Sequence, residues 1–443
     1  MPTIPPFDHE PKPYTGLPLD EVMRLRQAHL TPALITYYEN PLMLVEGKMQ
    51  YLYDETGRRY LDGFGGIVTV SCGHSHPKIL AAAHDQLDTL VHTTTIYPNQ
   101  EVALYGKALA DKMPGDLSVC YFVNSGSEAN DLALLMARLH TGNYDLVALR
   151  NCYHGGSHST MGLTAHGTWK YNTPQGFGIH HALNPDPYRG PFAGHADQAT
   201  DYANDVKQLI EFTTPGRVAG FIAESIQGVG GSIVFPEGYL KQTYDIVRSH
   251  GGLCIADEVQ AGFGRTGSHY WGFESQGVQP DIVVMAKGIG NGFPLAAVVT
   301  TPAVAASLTS HIHFNTFGGN PFISRVGRAV LEAIDEDGLQ ANSAKIGNHL
   351  LTKLHGLAEK HNLIGQVRGQ GLMLGVELVT DRNTKDPATA ECAAVWNKCK
   401  DLGLLLGKGG LFGNVLRIKP PMCLTQDDAD FMVEVIDEAL TTV

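Results

Sequence analysis

The 443-residue sequence is short of positive charge, holds few cysteines and lacks an uninterrupted apolar run. Its 32 Lys+Arg stand against 45 Asp+Glu, a formal net charge of −13 with His neutral. That disfavours nucleic-acid binding, whose usual footprint is a basic surface. The longest stretch without charge, residues 288–324, is broken by Gly290, Asn291, Gly292, Pro294, Pro302 and Gly318. A membrane-spanning helix needs about 20 predominantly apolar residues, so no span and no membrane partner is expected. The seven cysteines, Cys72, Cys120, Cys152, Cys254, Cys392, Cys399 and Cys423, are odd in number, scattered and free of any Cys-x-x-Cys pair. Neither a zinc nor a thioredoxin-type motif is indicated, and a reducing intracellular compartment is expected. The first sixteen residues have no apolar core and carry Asp8 and Glu10, unlike a secretory signal or an Arg-rich transit peptide. The expectation is a cytoplasmic protein, with the mitochondrial matrix as the alternative for a mature form.

Glycine is abundant: 50 in 443 residues, about 11% against a usual ~7%. The length suits about three domain units, or one large α/β core with a smaller layer. Met49 to Asp62 reads as strand, Asp-Glu-Thr-Gly turn, strand, and Asp20 to His29 as a weak helix. From about residue 75, helical patterns alternate with short apolar runs at 119–123, 146–149, 218–223, 253–256 and 282–286. Such runs signify strands buried on both faces, hence a mostly parallel sheet covered by helices. After Pro321 the pattern turns helical over 323–336 and 342–361, then strand-like over 370–378, with a last helix from Asp427. The expected divisions are 1–74, 75–321 for the large domain, and 322–443.

Three groups in this pattern can carry chemistry. Asn124-Ser125-Gly126-Ser127-Glu128-Ala129-Asn130 ends a buried strand and starts a helix, where free N–H groups and the helix dipole can bind phosphate. An ordinary Ser N-cap would look the same. Asp257 ends one apolar run and Lys287 ends another thirty residues later, which places both at the carboxyl edge where open α/β sheets bind ligands. The plain alternative is an Asp–Lys ion pair. Glycines at 262, 264, 267, 288, 290 and 292 surround them and allow the backbone close to a flat ligand. A phosphate cup, a carboxylate for a pyridinium nitrogen and a Schiff-base lysine are what pyridoxal phosphate requires. Gly403-Leu-Leu-Leu-Gly407-Lys408-Gly409 imitates a P-loop, but has three spacers and no Ser/Thr after the lysine, and is rejected as a nucleotide site.

With these residues the chain resembles the class III aminotransferases of the fold-type-I pyridoxal-phosphate enzymes. Within that class it is similar to the alanine–glyoxylate aminotransferase 2 group, in Tyr60 to Pro77, Asn124 to Asn130 and Gly409 to Asn414. The resemblance implies a large domain with a mostly parallel seven-stranded sheet covered by helices, plus a smaller α/β domain built from both termini. It implies pyridoxal 5'-phosphate as cofactor, Lys287 as its covalent anchor and general acid/base, and Asp257 as partner of the ring nitrogen. Gly126 and Ser127 would hold the phosphate, Tyr153 and Val259 the two ring faces, and Gln260 the ring hydroxyl, with Glu224 in the same set. Without the resemblance, Tyr153 is an ordinary core aromatic. Thr316 would reach the phosphate of a neighbouring subunit, which implies a homodimer or a dimer of dimers.

Arg417 and Ile67 carry over as substrate residues. An Arg fork pairs both oxygens of a carboxylate, although unaided Arg417 reads as a strand-edge surface charge. Members acting on ω-amino groups carry a second Glu in the motif seen here as Glu224 to Gly230, where this chain has Val229. An Arg417 left uncovered suits small α-carboxylates such as alanine, pyruvate and glyoxylate, with β-alanine or β-aminoisobutyrate and pyruvate as the alternative. An aminomutase, racemase or decarboxylase of the same fold is the rival reaction. Ser225 replaces a proline common in the family, and no role for it follows from sequence. Cys72, His74 and His76 cluster, and His311 and His313 alternate as on a strand, but Cys-x-His-x-His is not a zinc spacing. No metal site is expected.

Overall fold

The computed structural model describes residues 2–174 and 176–443. Its centre is a seven-stranded sheet in the spatial order Val119–Val123, Ala296–Thr300, Ile282–Met285, Leu253–Asp257, Gly220–Glu224, Leu146–Leu149, Ile179–Ala182. Only Ala296–Thr300 runs against its two neighbours. All five apolar runs form strands, two at the expected bounds and three displaced by a residue or two at one end or both. The two strands not read from sequence have weak signals. Ala296–Thr300 lies among Gly and Pro punctuation, and the edge strand Ile179–Ala182 carries two histidines and is mostly half-buried.

Burial on both faces follows from the strict alternation of the central strands. Val283 and Met285 enter one apolar cluster together with Ala297 and Val299, whereas Ile282 and Val284 enter the other with Ala296 and Val298. The helix Gly126–Thr141 covers the second face with Ala129, Leu132, Ala133, Met136 and Ala137, and stops at Gly142, whose φ of 66° is left-handed. The other face is covered partly by the helix Pro321–Glu336, which packs on the helices Pro77–Thr89 and Gln100–Ala110.

The chain ends build the smaller layer. Tyr51–Asp54 and Arg59–Asp62 form the expected hairpin, joined by a further strand, Leu44–Lys48, on one side. On the other side Leu404–Leu405 adds in parallel. A second sheet takes Ile364–Gln370, Met373–Leu378, Val415–Ile418 and Gly407–Gly409, all antiparallel. The P-loop look-alike is therefore two short strands, one in each of these sheets. No helix among the described residues is long and apolar enough to cross a membrane.

Candidate active site

In parallel register Asp257 lies beside Glu224 on one side and Val284 on the other, so two carboxylates and the segment leading to Lys287 meet at one sheet edge. Together with the start of the helix Gly126–Thr141 they enclose a cavity of about 130 Å³. Its walls are Gly126, Ser127, Asn130, Tyr153, His154, Gly155, Glu224, Asp257, Val259, Gln260 and Lys287. Eight residues singled out from the sequence thus share one cavity.

The ion pair between Asp257 and Lys287 does not form. Asp257 Oδ2 instead meets His154 Nδ1 at 2.7 Å and accepts from Asn130 Nδ2 at 3.0 Å, while Oδ1 accepts from Val259 N at 3.1 Å. Burial works to raise the Asp257 carboxyl, but His154 and Asn130 outweigh it and hold it below the ordinary value. A carboxylate offers about four acceptor directions, so one remains on Oδ1. Lys287 has no hydrogen bond or ion pair among the described residues, and burial lowers its pKa against the pull of Asp257 and Glu224. Its φ of 52° is left-handed, a strained backbone of the kind that gathers at functional sites.

Glu224 accepts from Tyr153 N at 3.0 Å and Gly228 N at 2.7 Å, and burial, more than the adjacent Asp257, raises its pKa. The helix start is built by Ser125, whose Oγ accepts from Glu128 N at 3.2 Å; the N–H groups of Gly126 and Ser127 precede any intrahelical acceptor. Ser127 Oγ accepts from Gly156 N at 3.1 Å, and a Cβ on Gly155 would lie 2.4 Å from it. Room for an anion exists there because Gly155 has no side chain. The cavity therefore fits pyridoxal phosphate on its own terms: open N–H groups, an ionised buried carboxylate with a spare acceptor site, and an unpaired amine.

The remaining residues lie outside the cavity. Arg417 is no surface charge: it is 6% exposed, on the third of four strands, with its guanidinium 5.0 Å above Phe64. Its Nη1 and Nη2 reach the carbonyls of Gly228 and Lys408 at 3.5 and 3.0 Å, and its Nε has no partner. Ile67 is 47% exposed in the four-residue helical segment Gly65–Val68, with a left-handed φ of 64°. Thr316 is exposed in the irregular segment 311–320, which leads into the helix Pro321–Glu336, and His311 and His313 lie there too rather than on a strand. His74 and His76 are engaged by Asp62 at 2.7 Å and Asp337 at 2.8 Å. All seven cysteines are free.

Sequence reasoning passed over Asn130, which stood inside the quoted motif Asn124 to Asn130, and His154, which directly follows Tyr153. It also left Ser225 unread. Ser225 Oγ donates to buried Glu258, which also accepts from Gly272 N at 2.7 Å and Phe273 N at 2.9 Å. A proline could not supply that donor. Burial raises the Glu258 carboxyl to about 7 even so.

The family described as "Aminotransferase class-III" matches residues 36–440. The chain belongs to the class III aminotransferases. It is 54% identical over 438 residues to "Alanine--glyoxylate aminotransferase 2 homolog 2, mitochondrial" of Arabidopsis thaliana, covering 99% of this chain and 91% of that protein. It is 46% identical over 461 residues to "Alanine--glyoxylate aminotransferase 2, mitochondrial" of Homo sapiens, with 99% and 90% covered. Among solved structures it is similar to a phospholyase from Arthrobacter in complex with phosphoethanolamine, at 33% identity and a TM-score of 0.89, with 95% of this chain and 100% of that chain covered. The protein is thus a transaminase that uses pyridoxal 5'-phosphate, on the fold-type-I architecture.

Proposed function

We propose that this aminotransferase moves an amino group from alanine, or a small β-amino acid, to glyoxylate or pyruvate. The observation that carries this reading is Arg417, a buried guanidinium held by two carbonyls and the Tyr37 hydroxyl, with no carboxylate paired to it among the described residues and with Nε unpartnered. A buried cation with no anion is costly unless a ligand supplies one. Val229 stands where a covering Glu would be, so a substrate carboxylate meets no internal competitor. Both relatives are named alanine–glyoxylate aminotransferases, which supports alanine and glyoxylate.

When bound, pyridoxal phosphate would supply an electron sink for the electron pair left at substrate Cα when its proton is removed. Gly126 and Ser127 would hold its phosphate, Tyr153 and Val259 its ring faces, and Gln260 its ring hydroxyl. Asp257, kept ionised by His154 and Asn130, would hold the proton on the ring nitrogen. Lys287 would anchor the cofactor and, once displaced, take the proton from substrate Cα and return it as general acid/base. Low proton affinity from burial suits that task.

A panel of amino donors and keto acceptors on purified protein tests the substrate assignment. Alanine with glyoxylate should rank high and ornithine low, since the α-carboxylate of ornithine lies too far from its δ-amine to meet Arg417 in the same pose. Preference for ornithine, or phosphate release from phosphoethanolamine without amino transfer, would overturn it.

A homodimer completes the proposal. Ile312, Phe314 and Phe317 are 96%, 50% and 61% exposed around Thr316, apolar surface that a second copy would cover. Thr316→Ala should weaken cofactor retention. Mixed with Lys287→Ala, it should regain part of its activity by subunit exchange; proven exchange without rescue would refute the role across subunits. The mitochondrial names of the relatives favour the matrix over the cytoplasm, which fractionation of cells would decide.

A further inference from the structure

Directly after the strand Val415–Ile418 comes Lys419, a lysine with no solvent exposure and no part in the chemistry above. Its Nζ donates to Gln260 Oε1 at 3.0 Å and to the Gly228 carbonyl at 3.1 Å. No carboxylate pairs with it among the described residues. Both neighbours of Nζ are oxygens, so the amine meets them as a donor. Burial, and after it the neighbouring Arg417, hold Lys419 well below the ordinary lysine range.

Three chain segments converge on this amine. A Cβ at Gly228 would lie 2.3 Å from Gln260 Oε1, so only glycine lets carbonyl, amide and amine meet. The same carbonyl accepts from Arg417 Nη1 at 3.5 Å. A Lys419 N–H facing the amide admits its oxygen, which leaves Gln260 Nε2 as the arm without a hydrogen bond in a residue that lines the cavity.

We propose that Lys419 is a positioning residue: it fixes the Gln260 amide so that an N–H donor, not a carbonyl, is presented to the ring oxygen of the cofactor. This rests on Gln260 meeting that oxygen. Without Lys419 the amide is free to turn over, and a carbonyl oxygen set against the ring oxygen repels it. An N–H donor withdraws electron density from the ring oxygen, so the Lys287 nitrogen that holds the cofactor gives up its proton at lower pH.

The test is a pH titration of holoenzyme followed by the visible absorbance of bound cofactor. Lys419→Met and Gln260→Leu should each raise the midpoint by about one pH unit, a tenfold change in proton affinity. The double variant should shift no further than either alone, because both remove the same donor. If Lys419→Met lowers Tm but leaves the midpoint in place while Gln260→Leu moves it, Lys419 is structural only and the proposal falls. Additive shifts overturn it as well. If Gln260→Leu leaves the midpoint unmoved, the Gln260 reading itself fails. Borohydride reduction and peptide mapping at Lys287 report occupancy separately, so a wrong cofactor site shows as missing label rather than as a still midpoint. Should Lys419→Met not accumulate folded, Lys419→Gln, which keeps one amide donor, decides: a smaller upward shift supports the proposal and no shift refutes it.

Discussion

Arg189, Glu377 and Arg368 form one buried cluster of charge, and Asp257, Lys287 and Arg417 form another. In the first, Glu377 accepts from Arg189 Nε and from Arg368 Nη1 at 2.6 Å, while Arg368 also reaches the Gly231 carbonyl at 2.8 Å. Each arginine meets the one carboxylate, although Arg189 Nη2 has no partner among the described residues. In the second, among the described residues, Asp257 is taken by His154 and Asn130, Lys287 has no side-chain partner, and Arg417 meets two carbonyls and the Tyr37 hydroxyl but no carboxylate. Both clusters pay desolvation, but only the second leaves a basic amine and a cation open to a ligand. A cation paired with a carboxylate is structural, and a buried cation or amine without one marks the candidate site.

That contrast breaks first at Lys287. Lys287→Ala should abolish multiple-turnover transamination, and borohydride label in native protein should map to Lys287; label elsewhere would mean the open amine is not the anchor. Next in size is Asp257→Asn, where cofactor should still bind. A neutral amide cannot hold the ring nitrogen protonated, so single-turnover proton abstraction should slow by about 10²–10³. An unchanged rate at full occupancy would move Asp257 into the structural cluster.

Arg417→Lys comes third. A charge-assisted bidentate contact is worth roughly 1.5–3 kcal/mol, so kcat/KM for alanine and glyoxylate should fall about 10- to 100-fold, with amines lacking a carboxylate losing much less. Equal losses for both would show that the guanidinium does not read the carboxylate.

The structural cluster should respond in stability instead. Glu377→Gln should cost about 3–5 kcal/mol, with little change in activity per folded molecule. Burial pushes the Glu377 carboxyl up, but Arg368 and Arg189 outweigh it and hold it below the ordinary value. Its contribution is therefore full above the usual carboxylate pKa of about 4.3 and lost as pH falls through the lower folded value. The Tm gap between native and Glu377→Gln protein should narrow on acidification; a gap independent of pH would rule out the charge as its source.

Periodicity alone located most of the central sheet, because strands buried on both faces must be apolar at every position. It missed Ile179–Ala182 and Ala296–Thr300, where edge exposure or flanking glycines and prolines blur that signal. Asp257 and Lys287 stood out for a related reason: a charge that closes a buried apolar strand lies at the sheet edge where open α/β sheets bind ligands. Pairing is another matter, since partners distant in sequence depend on which strands lie adjacent. Only the fold put His154 on Asp257 in place of Lys287, sank Arg417 beneath the strand Gly407–Gly409, gave Ser225 a buried Glu258 to donate to, and set Lys419 against Gln260. The sequence by itself determined the chemical groups at the strand ends. Tertiary structure decided which of them are satisfied and which stay open, because hydrogen-bond geometry and desolvation are fixed only when the distant segments close around them.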